Sequence, residues 1–115
     1  MIDPLQFFKC LADETRLKSL LIIQSEGEIC VCELVEALQE IQPKISRHLA
    51  LLRESRIVLD RRQGQWIYYR LNPHLPEWAK TVLAETAKQN QSYIEGNLKK
   101  LCRMGSRPER TKSCC

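Results

Sequence analysis

The first chemical signal in the sequence is its sulfur. There are six cysteines, at Cys10, Cys30, Cys32, Cys102, Cys114 and Cys115, and two close pairs, Cys30-Val31-Cys32 and Cys114-Cys115. In a reducing compartment, close-set thiols point to soft-metal or redox chemistry more than to structural bridges. Cys30 and Cys32 fall at the start of a short predicted helix over 31–38, whose Leu34 and Leu38 sit four apart and face inward. The N–H groups and dipole at such a helix start favour an anion, a thiolate included. Cys30 and Glu33 have the spacing of a capping box, but with a thiol where a hydroxyl is expected. A thiol is a poor cap acceptor, and a local rule broken in this way marks functional demand. Residues two apart on a regular helix point about 200° apart. The two thiols are therefore expected to diverge, so that an ion gripped by both must unwind or bend the first turn.

A second stretch suits another task. Residues 42–53 read QPKISRHLALLR. Pro43 suits the first helical position. Ile45, Leu49 and Leu52 share one face, while Arg47, Ala50 and Leu51 point the other way with Lys44 beside them. Small and cationic side chains on an outward face fit a helix that enters the major groove, where Arg and Lys meet phosphates and guanine edges. A plain solvated bundle helix is the alternative. Next, two β-rich arms, 58–62 and 66–71, flank Gln63-Gly64-Gln65, which is a hairpin signal. Its tip carries Arg61, Arg62, Gln63 and Gln65. A basic hairpin directly after such a helix is a wing that touches backbone phosphates, against the alternative of a sheet edge protected by charge.

The remaining elements position these two. Residues 3–12 read as a first helix with Leu5, Phe8 and Leu11 as its apolar stripe, Phe7 at its side and Cys10 as a buried inert thiol. Asp13 caps a second helix, Glu14 favours its first turn, Leu17, Leu20, Leu21 and Ile23 supply core, and Gly27 ends it. The helices over 31–38 and 42–53, with their short connection, form a helix-turn-helix pattern. Residues 77–101 read as one long helix carrying Trp78, Val82, Tyr93, Ile94, Leu98 and Leu101, interrupted by Gly96. So small a domain cannot cover that stripe alone. Pairing with the same helix of a second subunit, together with the first helix, is the natural solution. The chain divides into a folded part, 1–104, and a polar, basic, cysteine-bearing tail, 105–115.

Composition sets outer bounds. The chain has 115 residues, 43% hydrophobic, with 18 Lys and Arg against 14 Asp and Glu for a net charge of +4. That is one domain with a small core and a mild basic balance compatible with nucleic acid. No apolar run approaches the roughly 20 residues of a membrane span, and no signal peptide is visible, so a reducing cytoplasm is expected.

The combined motifs carry a resemblance. Leu11-Ala12-Asp13-Glu14-Thr15-Arg16-Leu17, Cys30-Val31-Cys32-Glu33-Leu34, Gln42-Pro43-Lys44-Ile45-Ser46-Arg47-His48-Leu49 and Arg61-Arg62-Gln63-Gly64-Gln65-Trp66 resemble the ArsR branch of the ArsR/SmtB repressors. The resemblance covers nearly the whole chain up to Trp78. It implies a mainly α fold with a β-hairpin wing, a winged helix-turn-helix that dimerises through its first and last helices. It also implies a homodimeric repressor on double-stranded operator DNA, released when trivalent arsenic or antimony binds cysteine thiolates. By the same resemblance Cys30 and Cys32 match the first two arsenic ligands. The usual third cysteine falls at Val35, which cannot ligate. A third ligand from Cys102, Cys114, Cys115 or Cys10, or a strictly two-thiol site suited to a methylated arsenical, are the ways to complete it. For DNA, Gln42, Lys44, Ser46, Arg47 and His48 are expected at or beside the groove, and Arg61, Arg62 and Gln65 at phosphates or the minor groove. His48 lies next to the Ile45 stripe and has a packed role as its alternative. Arg53 is expected as a solvated charge.

Three other readings remain beside this one. A thiol redox sensor would answer to oxidation of Cys30, Cys32 or the Cys114-Cys115 pair. A zinc or cadmium sensor would need carboxylate and histidine ligands on the last helix, and the only histidines are His48 and His74. A small thiol enzyme would need a nucleophilic cysteine in a glycine-rich, arginine-flanked anion loop, which no cysteine here has. The chain is therefore not expected to be an enzyme.

Overall fold

A computed structural model describes residues 2–105. Cys114 and Cys115 lie outside the described residues, as does the expected tail from 106 onward. The elements run α1 (Pro4–Leu11), α2 (Glu14–Glu26), β1 (Glu28–Cys30), α3 (Val31–Leu38), α4 (Gln42–Glu54), β2 (Val58–Gln63), β3 (Trp66–Leu71), α5 (Glu77–Gln89) and α6 (Glu95–Arg103), with a short 3₁₀ turn at Gln91–Tyr93. This is the expected mainly helical winged helix-turn-helix. Among the described residues no helix is long and apolar enough to cross a membrane.

The cap residues act as their types require. The Asp3 carboxylate accepts the Gln6 N–H at 3.1 Å, and Asp13 accepts the Arg16 N–H at 3.0 Å. Each satisfies one orphan donor at a helix start. Gly27 ends α2 at φ 85°, a conformation other residues rarely adopt. Pro43 sits at the second rather than the first position of α4, since the helix already starts at Gln42. There too its missing N–H has no intrahelical partner to lose.

The core gathers α2, α3 and α4 against the sheet. Leu20, Leu21, Ile22, Ile23, Leu34, Ile45, Leu49 and Leu52 have no exposed surface. In α1 the expected stripe holds only at Leu11, which packs partly buried against the core. Phe7 and Cys10 are buried, while Leu5 and Phe8 stay 62% and 47% exposed. Phe7 meets Trp78 edge-on, with ring centres 5.1 Å apart, and so ties α1 to α5. Leu5, Phe8 and a partly exposed Trp78 are left facing outward.

Two features depart from the sequence expectations. The hairpin is joined by a third strand. β1 pairs antiparallel with β3, giving the order β1-β3-β2 and the register Cys30↔Tyr68↔Arg61. The last helix is two helices. Between Leu83 and Tyr93 only Ala84 and Ala87 are apolar, so no stripe sustains a continuous helix. The Asn90 amide instead donates to the Thr86 carbonyl at 2.9 Å. The chain then turns and α6 folds back on α3. The Asn97 amide donates to the Ala37 carbonyl at 2.8 Å, and Ile94 and Leu101 are buried.

Candidate thiol seat and nucleic-acid face

Cys30 ends β1 and is also the N-cap of α3, at φ −85° and ψ 150°. It therefore has extended rather than helical backbone, and its side chain is not set about 200° from that of Cys32 as on a regular helix. The Cys30 and Cys32 sulfurs converge to 3.4 Å. With metal–sulfur bonds of about 2.3 Å, such a pair subtends an angle of about 95° at a shared centre, whereas a tetrahedral angle needs about 3.8 Å. The pair suits a pyramidal, three-coordinate centre better than a tetrahedral one.

The seat is held from several sides. Glu33, fully buried, accepts the Cys30 N–H at 2.7 Å, which is the carboxylate half of the capping box. Cys30 and Cys32 are buried with Tyr68, and Trp66 packs against the three. The Trp66 indole N–H is buried with no acceptor among the described residues. Beyond the sulfurs opens a cavity of about 600 Å³, walled by Ser46 and Arg53 of α4 and by Gln65 and Tyr69 of the wing. Cys30 and Cys32 thus line the crevice between helix and hairpin.

No cluster of three or more His, Cys, Asp or Glu groups exists among the described residues. The Cys10 thiol is buried elsewhere, 3.3 Å from the Ser55 hydroxyl, as its inert reading requires. Cys102 is exposed on α6, at the rim of another cavity.

On the nucleic-acid face, Gln42, Ser46 and Arg47 are exposed along α4, and Lys44 is half-buried with its ammonium 3.1 Å from Glu40. His48 is packed rather than presented. It is 8% exposed, and its Nδ1 accepts from the Arg16 guanidinium at 3.1 Å. Burial holds its pKa below the ordinary histidine value, against the pull of Asp13. Arg16 also donates to the Cys10 carbonyl at 2.8 Å and the Lys9 carbonyl at 3.3 Å. It thereby clamps the end of α1 to the recognition helix, a role not foreseen from its sequence position. Its signal was visible only as an arginine three residues after a cap.

The wing turns on Gly64, the first of two loop positions, at φ 62°. That is the glycine placement of a type II′ hairpin. Arg62 and Gln65 are exposed. Arg61 is engaged within the protein, donating to both carboxylate oxygens of Glu28 at 2.7 and 2.6 Å. Arg53, expected as a solvated charge, donates to Asp60 at 2.9 Å and steadies the base of the wing.

Comparison with known proteins agrees with this architecture. A family model described as "Bacterial regulatory protein, arsR family" matches residues 13–59. The chain is 53% identical over all 115 residues, covering the whole of both chains, to the arsenic resistance transcriptional regulator ArsR2 of Pseudomonas putida. It is 48% identical to the arsenical resistance operon repressor of Escherichia coli over 111 residues, 96% of this chain and 95% of that one. Among solved structures, HlyU from Vibrio cholerae superposes with a TM-score of 0.68 at 28% identity, covering 76% of this chain and 90% of that one. The AntR antimony-specific transcriptional repressor superposes with a TM-score of 0.62 at 27% identity, covering 77% and 78%.

Proposed function

The chain belongs to the arsR family of bacterial regulatory proteins, and on that premise we propose that it is an arsenic-responsive transcriptional repressor rather than an enzyme. As a homodimer it holds operator DNA through Gln42, Lys44, Ser46 and Arg47 of α4 and through Arg62 and Gln65 of the wing. Trivalent arsenic or antimony then binds Cys30 and Cys32 and releases it. The observation that carries this reading is the 3.4 Å separation of two buried sulfurs. Soft trivalent centres prefer thiolates, by the argument that places thiols on soft metals. With arsenous acid each As–S bond forms as one As–OH leaves with the thiol proton as water. A third valence remains to be filled, by a cysteine of the segment beyond 105 (Cys114 or Cys115) or by an oxygen carried on the metalloid. Cys10 and Cys102 are set aside because neither stands with the pair. The reading needs a reducing compartment, such as the cytoplasm, to keep the thiols ready.

Because the pair has already converged, loading the site does not require α3 to unwind. The third substituent instead occupies the crevice that α4 and the wing share. It disturbs their relative position, and DNA needs both in place. Linkage then requires each ligand to weaken the other, typically by about 1–3 kcal/mol. The dimer is expected to form across the outward face that carries Leu5, Phe8 and Trp78. The test is operator release titrated with arsenite and antimonite on the native chain and on Cys30→Ser and Cys32→Ser. Release that persists in both variants sinks the assignment. Release by peroxide alone, with no metalloid, favours the redox-sensing alternative.

A further inference from the structure

Arg61 and Arg62 are neighbours on β2, and neighbours on a strand face opposite sides. Arg62 is exposed, and no ion pair ties it among the described residues. Arg61 turns over the sheet. It grips Glu28 with two N–H groups, and its guanidinium lies 4.7 Å from the Tyr68 ring centre. Tyr68 is the register partner of Arg61 on one side and of Cys30 on the other, and it packs with both seat cysteines. A row of side chains, Cys30–Tyr68–Arg61, therefore crosses the sheet. Glu28, on the same strand as Cys30, closes the row from the far end.

We propose that Arg61 is a positioning residue rather than a DNA contact: with Glu28 and Tyr68 it ties the wing to the strand that ends in the thiol seat, so that an occupied seat displaces the wing. The proposal rests on the metalloid-release reading above. A bidentate guanidinium–carboxylate pair fixes direction as well as distance, and stacking on a ring fixes the plane. To reach a phosphate, Arg61 would have to give up two charge-assisted hydrogen bonds and that stack. An exposed ion pair adds little to stability. Its consequence here is geometric: β1 and β2 flank β3 without touching each other in the sheet order, and Arg61 is the side chain that bridges them. When the third substituent of a bound centre crowds the crevice and shifts Cys30, Tyr68 and Arg61 carry the shift to the strand that bears Arg62.

The experiment uses the full chain and a duplex selected by that chain from a random pool. Operator affinity is measured over a range of salt, with and without sodium arsenite, for the native chain, Arg61→Ala, Glu28→Gln and Arg62→Ala. The expected result is that Arg61→Ala and Glu28→Gln keep the native salt slope but cut the arsenite-induced loss of affinity to under about threefold, from the 5–150-fold typical of coupled sites. Arg62→Ala should lower the slope by about one and keep the arsenite response. A slope that falls by about one in Arg61→Ala overturns the proposal, and so does a full arsenite response in both tether variants. Tighter DNA binding by Glu28→Gln also overturns it, because that would mean Arg61 had been released onto a phosphate. If the native chain itself ignores arsenite, the metalloid reading fails. The salt slopes of Arg61→Ala and Arg62→Ala then decide the tether on their own.

Discussion

The crevice behind the recognition helix and the surface in front of it follow opposite rules. In the crevice, Cys30, Cys32, Glu33 and Tyr68 are buried, the sulfurs are already 3.4 Å apart, and Glu33 holds the Cys30 backbone. In front, Arg47 and Arg62 are solvated, and Gln42, Ser46 and Gln65 are exposed at the rim where that surface meets the crevice. A small, soft ligand offers few contacts, so its site must be organised beforehand by protein packing. DNA brings a dense array of phosphates, so its site can leave cations unsatisfied until the partner arrives. A seat built by packing and a face built by exposure fail in different ways when side chains are removed.

The largest expected effect lies in the packing that both regions share. Leu49→Ala removes a fully buried side chain from the inner face of α4 and should cost about 2–5 kcal/mol in denaturant unfolding. A cost under about 1 kcal/mol would show that the helix is not anchored as described. Next comes the seat. Cys30→Ser should abolish arsenite-induced release, removing about 1–3 kcal/mol of coupling, while operator affinity without arsenite stays within about threefold. Affinity lost in the absence of arsenite would erase the separation between the two regions. Smaller again is Arg62→Ala. It should weaken binding alike on every sequence and lower the salt slope by about one, read by fluorescence anisotropy.

The smallest effect is that of His48, which sits on α4 but belongs to the buried side. Its folded pKa lies below its unfolded value of 6.5, chiefly through burial. The unfolded chain therefore binds more protons in this range. The stability tied to neutral His48 is fully present above the unfolded pKa and is lost as pH falls from there through the folded pKa. Thermal unfolding between pH 7.5 and 5.5 should show a fall in Tm that is smaller in His48→Gln than in the native chain. An equal fall in both would move the pH dependence to other groups.

Much of this was readable from the residues in order. Asp13 and Gly27 bound α2, Leu34 set the inner face of α3, Ile45, Leu49 and Leu52 set that of α4, and Gly64 placed the wing turn. These are local matters of capping, periodicity and turn chemistry. The structure departs from the local sequence pattern where a partner far along the chain decides the outcome. Leu5 and Phe8 of the stripe expected on α1 face outward because Phe7, not Phe8, is the ring that has no exposed surface, lodged edge-on against Trp78. The long last helix broke so that α6 could fold back onto α3.

The sequence alone determined the order of α1 to α4 and the hairpin, the inner faces of the helix-turn-helix and the close spacing of Cys30 and Cys32, because each depends on spacings within about ten residues. Tertiary structure decided what those thiols and cations could do. Pairing β1 with β3 makes Cys30 the end of a strand, and this turns its sulfur toward Cys32. The same sheet brings Glu28 to Arg61 across 33 positions of chain and separates two adjacent arginines into a tether and a solvated charge. No local pattern carries that information, because strand order and register are set by which faces the core can bury.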